Sequence, residues 1–391
     1  MGVNVIGTYH SRVGKLDKSI YELIVEAGKG AIEDAEVAPG DIGGIWVANY
    51  GAAGFVNQNH LAPYALAIDE ELRFTPCTRV ENACASGSAA IKEASNAIKA
   101  GEVDYALVIG VEKMTSLDIK GVTRVLAQAS YWPEEGAEGM TFPGLFAEYA
   151  KGYQKEYGFT DEELATMLTR VAAKNHQNAL ANPLAHMPMN ITHEDILAKT
   201  DKENPMIAPP LRLMDCSLVS DGSAAVVLTS SDRVGNKEAV EIAALVHTSD
   251  YLPLSRRSNS KFVAGEKAIK KAYELAGIGV EDLDLAEVHD CFTIAEILAY
   301  EAMGLAEDGK GWQLLEDGII EVDGKLPVNP SGGLKAKGHP VGATGVSMAV
   351  LATRQLLNNA IGHQVQDARL ALTFNIGGSA ASNYATIFRR R

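Results

Sequence analysis

The chain is poor in cysteine and aromatic residues and has no surplus of positive charge. Its 391 residues include four cysteines, three tryptophans and 6% aromatic side chains. The cysteines, Cys77, Cys84, Cys216 and Cys291, form no CxxC pair, so a zinc knuckle or a thioredoxin-type dithiol is unsupported. Four scattered cysteines in a chain of this size predict free thiols in a reducing compartment. Lys and Arg number 35 against 50 Asp and Glu, a net charge of −15. That balance argues against nucleic acid or an anionic membrane as partner, while leaving room for a local basic site. No apolar run reaches the roughly 18 residues of a membrane-spanning helix. The first residues carry no apolar stretch of signal-peptide length. Ile6 stands where a myristoylation pattern needs Ser or Thr, and the last residues do not match a peroxisomal tail. These absences predict a cytoplasmic protein. Hydrophobic residues at 47% and charged residues at 22% are those of a globular chain, with length for two or three domains.

What the sequence does contain is an imperfect internal repeat. From Ser19 to Glu36, apolar Ile20, Leu23, Ile24, Ala27, Ala31 and Ile32 recur at helical spacing. Pro39-Gly40 ends that helix, and residues 41–47 read as a strand. A second copy has a helix around Gly265 to Ala276, closed by Gly277 and Gly279, then a strand over 284–289. Each copy continues with a small-residue turn opening an Ala-rich helix, at Cys84 to Ala90 and at His339 to Gly345. Each of these helices leads into an apolar strand, Tyr105 to Ile109 and Leu370 to Phe374. The matching order predicts an α/β protein built of two similar halves. Residues between Ser116 and Leu211 have no counterpart in the second copy. They are more polar, hold an amphipathic helix from about Thr160 to Ala179 and end at Pro205, Pro209 and Pro210. The expected organisation is therefore 1–115 with 211–238 as the first half, 116–210 as an inserted lobe, and 239–391 as the second half.

Four segments offer chemistry. Cys84 precedes a helix start, where the positive end of the helix dipole favours a thiolate. Lone cysteines are more often buried structural thiols, and position alone leaves both readings open. His339 lies in a glycine-rich run from Asn329 to Gly345, a constrained backbone that a ligand can approach closely. Such a histidine can take a proton from a thiol and return it to a leaving group, or serve merely as a hydrogen-bonded loop residue. Lys335 and Lys337 in the same run read as solvated charges. His289-Asp290-Cys291-Phe292 closes the second-half strand, the end at which α/β proteins place their sites. Asn375-Ile376-Gly377-Gly378-Ser379 ends the last strand, where glycine amides can face an anion or simply make a tight turn.

Together the four segments resemble the thiolase family over nearly the whole chain. ENACASGSAA resembles its nucleophile segment, GHPVGATG its histidine segment and SDGSAAVVL the strand before its second half. The resemblance is closest to the branch of archaeal and sterol-carrier-type thiolases, because HDCF stands where ordinary thiolases carry Asn-Glu-Ala-Phe. Ordinary thiolases also have a second catalytic cysteine in a Cys-x-Gly motif, and here that position is Asn375. The resemblance implies a five-layered αβαβα fold of two like halves, an inserted loop lobe over coenzyme A, and a homodimer or tetramer. It implies an acetyl-CoA C-acetyltransferase that makes acetoacetyl-CoA from two acetyl-CoA through an acetyl-cysteine. Cys84 would be the nucleophile and His339 its base. Backbone amides of Cys84 and Gly377 would hold the oxyanion. Cys291 would take the α-proton, with His289 and His339 on the enolate oxygen, and Ser217 would lie near the pantetheine arm. No metal or other cofactor is implied. The expected setting is the mevalonate route, with hydroxymethylglutaryl-CoA synthase and a small zinc-containing OB-fold protein as partners. A degradative 3-ketoacyl-CoA thiolase, a ketoacyl synthase with one cysteine and two histidines, and an inactive scaffold subunit are the competing readings.

Overall fold

The first periodic segment folds as α1 (Ile20–Ala35), between β1 (Val3–His10) and β2 (Ile42–Ala48), in a computed structural model that describes residues 2–391. Ser19 caps it. The hydroxyl accepts from the Glu22 amide while the Glu22 carboxylate accepts from the Ser19 amide. The first half continues with α2 (Ala52–Val56), β3 (Cys77–Val80), α3 (Ser86–Ala100) and β4 (Tyr105–Glu112). An insertion follows: α4 (Ile119–Ala127), α5 (Phe142–Tyr157), α6 (Asp161–Asn178), α7 (His193–Leu197), β5 (Met206–Ala208) and β6 (Leu211–Arg212). β7 (Gly222–Ser230) then closes the first half. The second half runs through β8 (Val240–Ser249), α8 (Val263–Ala276), β9 (Leu285–Val288), α9 (Thr293–Ala302), α10 (Gln313–Glu316), α11 (Thr344–Leu356), β10 (Leu370–Gly377) and β11 (Ser382–Arg390).

Strand order shows the duplication directly. The nine-stranded sheet runs β3-β2-β4-β7-β1-β8-β11-β10-β9. Read outward from its middle, β1-β7-β4-β2 is matched by β8-β11-β10-β9, with the same parallel and antiparallel pairings. A single bridge between Ala286 and Val328 stands where the first half has β3. The halves join where β1 pairs with β8 at Asn4–Glu241 and Val5–Val240.

Period-two alternation then builds the layers. Ala106 and Val108 of β4 and Val226 and Leu228 of β7 face a central cluster that contains Ile91 of α3 and Val346 and Val350 of α11. Leu107 and Ile109 of β4 and Val227 of β7 face the other way, onto Leu23, Ile24 and Ala27 of α1. On the second half, Leu372 and Phe374 of β10 pack against Ile269 of α8 and Ile294 and Leu298 of α9. The result is the expected αβαβα stack, with α3 and α11 in the middle layer. The inserted helices share the second half's core. Leu145, Phe146 and Tyr149 of α5 and Leu168 of α6 belong to the same cluster as Phe374 and Leu298. Phe146 stacks on Phe292 of the HDCF segment with ring centroids 4.7 Å apart.

Candidate active site

The site exists because α3 and α11 touch through their backbones. Gly87 and Gly345 are each the second residue of their helix. A Cβ on Gly87 would lie 2.5 Å from the Val346 nitrogen, and one on Gly345 would lie 2.2 Å from the Ser88 nitrogen. Only glycine at both positions allows this approach. It draws together the chain that enters each helix, Cys84 before α3 and His339 before α11. In the first of these turns Ala83 holds a left-handed φ of 50°, a conformation costing a non-glycine residue about 1–2 kcal/mol.

His289 completes the group. One sulfur or ring nitrogen from each of Cys84, His289 and His339 lies within 4.8 Å of the other two. The two imidazoles meet edge to face, with centroids 5.0 Å apart and planes at 88°. Their hydrogen bonds fix their protons. Thr344 Oγ1 donates to the Pro340 carbonyl, so it can only accept from His339 Nδ1, 2.8 Å away. His339 therefore carries its proton on Nδ1 and keeps a bare Nε2. Burial and the Lys337 charge push its pKa down to about 3, so the ring is neutral near pH 7. His289 is held neutral for the same reason, with the added repulsion of His339. A bare imidazole nitrogen beside a thiol can take that thiol's proton.

The thiols are protonated at rest. Burial pushes Cys84 up to about 12, although the Gly378 amide and its own amide face the sulfur and oppose the shift. This corrects the expectation of a thiolate favoured by the helix dipole: removal from water outweighs the dipole. Cys291 is raised well above 9, again by burial first and then by Cys84 and Asp290. Cys84, Cys291 and His339 line one cavity of about 290 Å³. Its walls include Met114, Val122 and Phe142, and half-exposed Ile207 and Leu213 stand on its rim. Ser217 lines it too, and its amide donates to the Cys291 carbonyl at 2.9 Å. A larger cavity of about 610 Å³ lies among α5, α6 and the β5–β6 ribbon and holds none of these groups.

Residues 3–232 match the family model described as Thiolase, N-terminal domain, and residues 247–390 match Thiolase C-terminal domain-like. The chain belongs to the thiolase family. It is 42% identical over 392 residues to the acetyl-CoA acetyltransferase of Methanothermobacter thermautotrophicus, covering 99% of each chain. Identity to the acetyl-CoA acetyltransferase of Methanocaldococcus jannaschii is 38%, over 97% of each chain. Among solved structures, the Ltp2-ChsH2(DUF35) aldolase superposes with a TM-score of 0.83, over 100% of this chain and 98% of its own, at 22% identity. That last likeness is one of fold. This thiolase is an acyltransferase.

Several parts of the thiolase site escaped sequence reading. Lys335 and Lys337 are buried, each 1% exposed, and are not the solvated charges expected. The π-helical turn Gly333–Lys337 carries them inward. Lys337 donates to Ser347 Oγ at 2.9 Å and faces Glu287, while Lys335 lies by Asp215 and Asp290. Asp290 clamps that same turn, accepting from the Leu334 amide at 2.6 Å and the Lys335 amide at 3.0 Å. HDCF and the His339 loop are thereby tied together. Gly377 ends β10, but the amide that reaches the Cys84 sulfur belongs to Gly378, one residue on. Only the run of glycines signalled it. All four cysteines are free, as expected. Among the described residues no helix is long and apolar enough to cross a membrane.

Proposed function

We propose that this thiolase condenses two acetyl-CoA into acetoacetyl-CoA and free coenzyme A through an acetyl group on Cys84. The observation that carries the reading is the convergence of Cys84, His289 and His339, with Cys84 and His339 lining a narrow, mostly apolar cavity together with Cys291. His339 Nε2 takes the Cys84 proton as the sulfur attacks the thioester carbonyl. The amides of Cys84 and the Gly377-Gly378 turn support the oxyanion. Cys291 is a thiol at rest and cannot begin as a base. It gives its proton to the departing coenzyme A thiolate and becomes a thiolate itself. A second acetyl-CoA then loses an α-proton to Cys291, and its enolate oxygen is met by N–H groups of His289 and the protonated His339. The enolate attacks acetyl-Cys84, and the Cys84 thiolate recovers its proton from His339. Every proton returns to its starting group, so the cycle calls for no metal or redox cofactor. The Cys-His-His set has the spacing of a metal site. Against ligation there, the Asn375 amide donates to His289 Nδ1 at 3.0 Å, which leaves the imidazole proton on Nε2.

The names of the archaeal relatives support acetyl-CoA as substrate. A cytoplasmic homodimer or tetramer feeding the mevalonate route is the setting we assign. The partners would be hydroxymethylglutaryl-CoA synthase and a small zinc-containing OB-fold protein. The Ltp2 aldolase, which shares the fold and is described with a DUF35 protein, supports a partner of some kind. The test is incubation with acetyl-labelled acetyl-CoA. Free coenzyme A should appear with label on Cys84, and Cys84→Ala should abolish both. Turnover by Cys84→Ala above a trace rate would sink the nucleophile assignment.

A further inference from the structure

Asn375 lies near the end of β10, and its side chain is fully buried. Its amide orientation is decided by its partners. The Cys84 carbonyl can only accept, so the NH2 group faces it, at 3.1 Å. Ser88 Oγ lies 2.8 Å from the amide oxygen and donates to it. The remaining N–H of the same NH2 group points to His289 Nδ1 at 3.0 Å. A nitrogen that accepts cannot carry the proton of a neutral imidazole. The proton is therefore on Nε2, which is buried and has no partner among the described residues. An unmet buried donor of this kind carries a desolvation cost and marks a place where an acceptor is missing.

We infer that Asn375 is a positioning residue that locks His289 as the Nε2–H tautomer, turning it into an oxyanion donor for the second half-reaction. The inference rests on the proposed enolate chemistry, since an enolate oxygen is the acceptor that His289 lacks. It also gives a reason for asparagine at this position. An asparagine amide does not titrate, so it orients the neighbouring donor at every working pH. A carboxylate there would do the opposite. In Asn375→Asp the new side chain would accept from Nδ1–H and leave neutral His289 with a bare Nε2.

The experiment uses the 391-residue chain labelled with 15N-histidine, with His289 assigned by comparison with His289→Gln. Wild-type His289 should show a protonated Nε2 and a bare Nδ1, and Asn375→Asp should move the proton to Nδ1. In parallel, deuterium uptake into the methyl group of acetyl-CoA should fall by about 10²–10³-fold in Asn375→Asp near pH 8, the usual loss for one oxyanion donor. It should partly recover at lower pH, where the carboxylate favours the imidazolium and Nε2 regains a proton. The circular-dichroism spectrum of Asn375→Asp checks that the variant is folded, since Asn375 also donates to the Cys84 carbonyl and the first release of coenzyme A is not expected to be spared. A wild-type His289 protonated on Nδ1 overturns the inference, whether or not any variant folds. So does an Asn375→Asp enzyme with unchanged tautomer and unchanged exchange. Absence of label on wild-type Cys84 would instead overturn the proposed function and leave the tautomer result standing.

Discussion

Gly345→Ala isolates the helix contact on which the site depends. The new methyl would sit 2.2 Å from the Ser88 nitrogen, against 3.4 Å for ordinary van der Waals contact. Its other near neighbours are Ser88 Oγ at 2.5 Å and Asn375 Oδ1 at 2.6 Å, two buried side-chain atoms held together by a hydrogen bond. The shortfall of 1.2 Å, 3.4 minus 2.2, has to be met by parting α3 from α11 by about 1 Å. Overpacking costs about 1–3 kcal/mol, and Ala in place of Gly inside a helix returns up to about 1 kcal/mol. Net destabilisation is then about 0–3 kcal/mol. The chemistry is far more sensitive. Moving Cys84 about 1 Å from His339 costs on the order of 10²-fold, or ~2.7 kcal/mol of barrier. First-turnover release of coenzyme A, followed with a thiol reagent, should fall about a hundredfold while the unfolding midpoint moves only slightly. Gly101→Ala is the control, because Gly101 has a φ of 74° and open space around its Cβ position. It should lose about 1–2 kcal/mol to left-handed strain and keep its rate. A Gly345→Ala enzyme with a burst within twofold of wild type would refute the close-contact argument.

Three more outcomes follow from the site. Cys291→Ala should release at most one equivalent of coenzyme A per site, more slowly than wild type because the departing thiolate loses its proton donor, and then stop because the α-proton has no acceptor; normal turnover would rule Cys291 out as the α-proton base. The active form of His339 is the neutral one, and its pKa lies at about 3. The burst should therefore stay level from about pH 8 to about pH 5 and decline only toward pH 3, and an inflection near the ordinary histidine value of about 6.5 would contradict the burial argument. Asp290→Asn leaves a single acceptor for the Leu334 and Lys335 amides, an expected loss of about 1–3 kcal/mol, with both half-reactions slowed as the His339 loop loosens. Unchanged melting and unchanged rates would show that the clamp is not needed.

Much of this was legible in the chain because its signals are local. The apolar period from Ile20 to Ile32 and the Ser19–Glu22 cap need no distant partner, and α1 begins and ends within a residue of the expected place. The repeat was legible because element order survives loop-length change. What escaped depends on contacts far apart in sequence. Nothing near Lys335 or Lys337 announces that the π-helical turn carries them inward toward Asp215, Glu287 and Asp290. Cys84 at a helix start signals a dipole, but the burial that overrides it comes from walls supplied by other elements. Asn375 and His289 are 86 positions apart, and the bond that sets the imidazole proton belongs to neither local pattern. Gly87 and Gly345 were visible as glycines in small-residue turns, but that each is needed because of the other is a property of the packed helices.

That last pair has a consequence for symmetry. Gly87 and Gly345 hold equivalent places in the two halves and touch one another, so a pseudo-twofold relation passes close to the reacting atoms. Two separate copies of one identical half, assembled in the same way, would present the same side chain at both helix entrances: two thiols or two imidazoles. Neither pair combines a nucleophile with its base. Joining the halves in a single chain removes that restriction, because each entrance can then change alone. One here carries Cys84 and the other His339. The asymmetry on which acyl transfer depends is thus a freedom that covalent fusion makes available and that a fully symmetric dimer of halves cannot have.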